Sequence, residues 1–145
     1  MIHSKYPEEL PNVNISNSIF LAGETHMSGW QTYVIDELFG TDLIIFDPRV
    51  FGKSNIEGQI DWERKRIEYS NIILFWFAQN SVNPTIFFEF CDVLAKGVKK
   101  AFVGYHPLYS YKNEVIIHVK HMNPRLLVYN RLDELVLNIK NTLYQ

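Results

Sequence analysis

An α/β fold built on a doubly wound parallel sheet is predicted by two observations. Short apolar runs of strand length alternate with longer stretches of helical period along the chain. The central run, Ile72-Ile-Leu-Phe-Trp-Phe77, is apolar at every position, as expected of a strand covered by helices on both faces.

Each element follows from its local pattern. Residues 18–22 are a short apolar run ended by Gly23. Residues 30–39 have the period of an amphipathic helix, with Trp30, Tyr33, Val34 and Leu38 on one face and Gly40 as its stop. Residues 43–46 form a second strand, closed by Asp47-Pro48. Residues 59–69 read as a charged helix with Ile60, Glu63 and Ile67 on one side. The third strand, 72–77, leads into a helix over 84–96, with Pro84 in its first turn and Gly97 past its end. Residues 100–104 are a strand, 113–121 a helix, 126–129 a strand and 132–143 the last helix. Five strands joined by right-handed helical crossovers suit the flavodoxin-like order 2-1-3-4-5, with helices on both faces. Residues 1–17 read as a polar N-terminal extension, and 1–145 as one domain.

Composition narrows the partners. Fourteen basic and sixteen acidic side chains are balanced, and no basic stripe invites a nucleic-acid polymer. Cys91 is the one cysteine, so there is no internal disulfide and no thiolate zinc site; a reducing, cytoplasmic setting is expected. Cys91 itself reads as a packing residue. The run 72–78 is too short to span a membrane, and the N-terminus lacks the apolar core of a signal peptide. His118 and His121 share a helical face, yet no third metal ligand accompanies them, and His26 reads as a surface-loop residue. No metal or cofactor is expected.

In a doubly wound sheet, ligands sit beyond the carboxyl ends of the strands, near the switch point between the first and third. The loops 23–29 and 78–84 meet there, with 47–58 nearby, which nominates Gly23, Glu24, Asp47 and Asn83. The loop 23–29 has neither the dinucleotide-binding spacing nor a P-loop ending, but its glycines let a ligand approach the backbone. Glu89 lies about one turn into the helix after the third strand, among Phe87, Phe88 and Phe90. A carboxylate desolvated there serves as a nucleophile or an acid/base group; the alternative is a glutamate on the solvent side of an aromatic helix. Glu63 shares a stripe with Ile60 and Ile67, whereas Asp61 and Glu68 suggest a solvated acidic face. A charge on an inner stripe needs a purpose, and a second carboxylate facing Glu89 would supply one.

The ordered set of motifs resembles the nucleoside 2-deoxyribosyltransferase superfamily, with its deoxynucleoside-monophosphate N-glycosidase branch. The resembling pieces are Ser18-Ile-Phe-Leu-Ala-Gly23 with Trp30-Gln31, Phe46-Asp-Pro-Arg49, Gln59 with Trp62-Glu63, the strand 72–77, Pro84-Thr85 with Glu89, and Leu132-Asp-Glu-Leu135. The resemblance covers about residues 18–139. It implies a flavodoxin-like fold and N-glycosidic bond chemistry without a metal. The family's nucleophilic glutamate falls on Glu89 and its catalytic acid, usually aspartate, on Glu63. Its sugar-contacting position falls on Asn83 and its first-strand aromatic, usually tyrosine, on Phe20. The longer acid, the missing hydroxyl at 20 and the uncharged Asn83 depart from the pattern.

The implied substrates are a 2′-deoxynucleoside or its monophosphate and a free base, with transfer to a second base or to water both open. Two other readings stay open: a nucleotide-binding or sensor module without chemistry on the same scaffold, and a plain flavodoxin-like interaction domain. A homo-oligomer is expected from the resemblance and from the aromatics Tyr105, Tyr109 and Tyr111.

Overall fold

A computed structural model describes residues 1–12, 17–25 and 29–145. The predicted strands appear as β2 (Asn17–Gly23), β3 (Leu43–Asp47), β4 (Ile72–Phe77), β5 (Lys100–Tyr105) and a short β6 (Val128–Tyr129). Their helices are α1 (Trp30–Glu37), α2 (Ile56–Tyr69), α3 (Thr85–Lys96), α4 (Lys112–Met122) and α5 (Leu132–Leu143). One strand more than predicted is present. Residues expected to be a polar extension form β1 (Ile2–Lys5), which pairs in parallel with β3 from Ile2 opposite Ile44 to Lys5 opposite Asp47.

The sheet order is β1-β3-β2-β4-β5-β6. Without the added edge this is the flavodoxin-like order 2-1-3-4-5. Periodicity cannot reveal β1, because Ile-His-Ser-Lys holds one aliphatic side chain and the strand is secured by its backbone ladder.

Two cores flank the sheet. Alternate residues of β2 and β4 point to opposite faces, as the pleat requires. Phe20, Ile73, Phe75 and Phe77 pack with Trp62 of α2, Phe90 of α3 and Val115 of α4. Ile19, Leu21, Leu74 and Trp76 pack with Val34 of α1 and Leu135 of α5. The chain therefore switches faces between β2, followed by α1, and β4, followed by α3. That is the crevice in which ligands of this architecture bind.

Helix faces differ in detail from the periodic reading. Tyr33 is partly exposed, and Gln31 is fully buried beside Trp30 and Val34. On α2 the inward residues are Trp62 and Arg66, while Ile60 is exposed. The N-terminal segment explains this choice. The Glu8 carbonyl accepts hydrogen bonds from Trp62 Nε1 and Arg66 Nη2, both at 2.8 Å. Trp62 also meets Tyr6 and Phe46 edge-on, and the Arg66 guanidinium lies 4.7 Å from its ring. A strap absent from the helical period thus sets the roll of α2, and with it the direction of Glu63.

Cys91 is exposed rather than packed in the core. Of the three tyrosines expected at a surface, Tyr109 is buried and stacks on Phe77, Tyr105 is half-buried and Tyr111 is exposed. No helix among the described residues is long and apolar enough to cross a membrane.

Candidate active site

Glu63 of α2 and Glu89 of α3 meet across the crevice and share a side-chain hydrogen bond. Two carboxyls hydrogen-bonded to each other hold a proton between them, because a carboxylate cannot donate. Burial raises the affinity of both for protons. Burial pushes Glu89 up to about 9, with further contributions from the negative charge of Glu63 and the shared hydrogen bond; the Arg64 guanidinium opposes this. Burial also raises Glu63, while the hydrogen bond from Glu89 works against the rise. The pair therefore retains a shared proton that isolated glutamates would release, with Glu89 donating and Glu63 accepting.

The pair lines a small cavity of about 20 Å³, enough for roughly one water molecule. Phe20 and Gly23 of β2, Asn83 and Thr85 at the start of α3, and Pro48 after β3 complete its walls. Asn83 Oδ1 accepts from the Thr85 backbone N–H at 3.0 Å, which leaves its amide nitrogen as the group able to donate. Gly23 is required sterically: a Cβ there would fall 2.5 Å from the Trp76 carbonyl oxygen and 2.7 Å from the Trp30 ring.

Five of the nominated residues, Phe20, Gly23, Glu63, Asn83 and Glu89, thus surround one cavity. The other two do not line it. The Asp47 carboxylate is fully buried and accepts from His3 Nε2 at 2.9 Å, from Arg49 Nε at 3.0 Å and from Arg49 Nη2 at 2.7 Å. It anchors the turn after β3 to the edge strand, a role invisible without knowledge of β1. Glu24 turns to the opposite side of its loop, where it lines a separate and larger cavity. Its carboxylate accepts from the backbone N–H of Thr25 and of Val82. His26 lies outside the described residues.

Sequence reasoning missed Ala22, Thr25, Pro48, Thr85 and Ile86 as cavity residues, although the first three flank nominated positions. It also missed the larger cavity, about 1040 Å³, walled by Trp30 and Trp76. The signal for the latter was present: two tryptophans fall at the carboxyl end of β4 and the start of α1, where the fold places ligands.

No curated protein matches the chain. A family model described as "Nucleoside 2-deoxyribosyltransferase like" matches residues 16–109, from just before β2 to just beyond β5, and so includes both glutamates of the pair. With the match covering well over half of its length, the chain belongs to the nucleoside 2-deoxyribosyltransferase-like family.

Proposed function

We propose that the protein cleaves the N-glycosidic bond of a 2′-deoxynucleoside or its monophosphate, with Glu89 as nucleophile and Glu63 as acid. The observation that carries this reading is the hydrogen-bonded carboxyl pair at the switch point of the sheet. Bond cleavage at an anomeric carbon by paired carboxyls needs one group ionised to attack and the other protonated to assist the leaving group. A pair that shares a single proton meets that requirement.

In the resting arrangement the proton favours Glu89, so the nucleophile is masked. Retaining glycosidases hold their carboxyls about 5 Å apart, farther than a direct hydrogen bond allows. A deoxyribose entering the cavity must part the two side chains, leaving the proton on Glu63 and the charge on Glu89. The Glu89 carboxylate then bonds to C1′ as the C1′–N bond breaks, and the departing base takes the proton from Glu63. In the second step a nitrogen of another base, or a water oxygen, bonds to C1′ and the ester to Glu89 breaks. Glu63 recovers a proton from the attacking group. Phe20 and Pro48 supply apolar walls that strengthen the electrostatics of the pair.

Assembly into a homo-oligomer belongs to the same reading. Phe88 is 70 % exposed on α3, one residue before the nucleophile, with Leu108 and Tyr111 also exposed ahead of α4. The lone, exposed Cys91 suits a reducing, cytoplasmic environment.

The test is incubation with mixed deoxynucleosides and free bases, followed by chromatography. Exchanged nucleosides mean transfer, free base and deoxyribose mean hydrolysis, and neither product rejects catalysis in favour of a binding module. A 2-fluoro-2-deoxyribosyl nucleoside, whose fluorine slows release, should leave an adduct on Glu89 by mass spectrometry. Full activity of Glu89→Ala would overturn the assignment.

A further inference from the structure

We infer that the open edge of β5 is a docking site for an extended acidic peptide segment, whose backbone adds to the sheet beside Ala101 and whose carboxylates meet Lys100 and Arg125. A cavity of about 360 Å³ lies along this edge, walled by residues 99–102 and by Asn123, Arg125 and Leu127 of the segment leading into β6. Among the described residues it shares no wall with the cavity around the carboxyl pair, and the inference does not rest on the catalytic reading. Successive residues of a strand send their side chains to opposite faces. Four consecutive residues on one cavity therefore mean that it meets the strand along its backbone edge.

That edge is unpaired where the cavity lies. β6 begins only opposite Val103, with Val103 against Val128 and Gly104 against Tyr129. In a parallel ladder the N–H and C=O of one residue face the same neighbouring strand, and successive residues alternate. The Lys100 N–H donates to the Asn71 carbonyl at 3.1 Å, so Lys100 and Phe102 face β4. Ala101 then faces the other way, as Val103 does toward β6. Among the described residues Ala101 has no strand partner on that side, so its N–H and C=O are open to an added strand. Residues 99–102 span roughly 10 Å, room for about three residues of an extended chain.

Charge selects the strand. Lys99, Lys100 and Arg125 line the cavity, and no aspartate or glutamate is among its described lining residues, in a chain whose net charge is −2. Lys100 and Arg125 form no ion pair among the described residues. Lys99 donates to the Glu68 backbone carbonyl and keeps its charge. Asn123 Oδ1 accepts from the Arg125 backbone N–H at 3.3 Å, which leaves the Asn123 amide nitrogen to donate. Cations on a sheet edge keep neutral and basic strands away. An acidic strand is the one whose charge they stabilise. Leu127, 67 % exposed, offers an apolar contact to an alternate side chain of that strand. A segment alternating glutamate with an aliphatic residue thus fits backbone, charge and surface.

The probe is a capped Glu-Val-Glu-Val-Glu peptide, titrated into the intact, isotope-labelled protein and followed by NMR. The Ala101 amide signal should shift and its hydrogen exchange should slow, while the amides of β1, at the far edge of the sheet, stay unmoved. The same sequence with N-methylated backbone amides, or with lysine in place of glutamate, should bind at least about tenfold more weakly. Added salt should weaken the acidic peptide, because its charge contacts are exposed. Lys100→Glu combined with Arg125→Glu should reverse the preference, so that the lysine peptide binds the variant; such a gain separates lost recognition from lost folding. The inference is overturned if Ala101 does not respond at millimolar peptide, if the N-methylated or the lysine peptide binds the natural chain as tightly, or if the folded double variant keeps its preference. It is also overturned if inorganic phosphate binds as tightly as the peptide, which would leave an oxyanion site without strand addition.

Discussion

Glu63 and Glu89, 26 positions apart on consecutive helices, share a hydrogen bond over the carboxyl ends of β2 and β4. Burial raises both proton affinities, so the folded protein keeps a proton that the unfolded chain releases. The sign of the linkage follows. Below the ordinary carboxylate range, folded and unfolded states bind that proton alike and the contribution to stability is full. As pH rises toward the folded value of about 9 for Glu89, stability is progressively lost. Glu89→Gln keeps a neutral donor and removes the loss. The variant should match the wild type near pH 4.5 and exceed its stability by more than about 1 kcal/mol at pH 8, the worth of one pKa unit. Denaturant unfolding across this range checks it; parallel curves for the two proteins would contradict a shared buried proton.

In the proposed mechanism Glu63 acts on the leaving group, so the effect of its loss should depend on how readily the base departs. Glu63→Ala should slow cleavage of ordinary deoxynucleosides by about 100-fold or more, the usual range of general acid catalysis. With an activated leaving group the loss should shrink to a few-fold. Steady-state rates on a leaving-group series measure this, and a uniform loss would assign Glu63 to positioning alone.

The strap from the N-terminus should matter to the site as well as to the fold. Removing residues 1–9 deletes β1 and the Glu8 carbonyl that holds Trp62 and Arg66. Stability should fall by at least about 2 kcal/mol, since two buried donors lose their acceptor and the β3 edge is uncovered. Glycosidic activity of the folded fraction should fall too, because the strap sets the direction of Glu63. Thermal unfolding and rate per folded molecule separate the two effects.

Gly104 of β5 has no space for a side chain: a Cβ would sit 2.7 Å from the Trp76 ring and 2.8 Å from Leu135. Gly104→Ala should cost about 1–3 kcal/mol, the range for overpacking a filled core. A neutral result in chemical denaturation would mean that the indole moves freely.

Phe88, next to Glu89 in the chain, is an exposed aromatic on α3. If the chain assembles through α3, Phe88→Glu should convert the oligomer to monomer in light scattering while the thermal transition changes little, since this side chain lies outside both cores.

The sequence by itself determined the doubly wound class, the order of five strands and the two helices that bear the carboxyls. Those features rest on local periodicity, on glycine and proline punctuation, and on the fully apolar β4. It also nominated both members of the carboxyl pair, because a charge among phenylalanines or on an inner stripe is conspicuous. Tertiary structure alone decided which face of α2 turns inward. The Glu8 carbonyl, remote in sequence, draws in Trp62 and Arg66 and leaves Ile60 outside. It likewise decided that Asp47 is tied to His3 and Arg49, a consequence of an edge strand with too few apolar residues to announce itself. The division of the crevice into two compartments was also a tertiary outcome. Side chains of adjacent residues alternate in direction, and whether Gly23 and Glu24 open onto one cavity or two depends on where α1 and α3 pack.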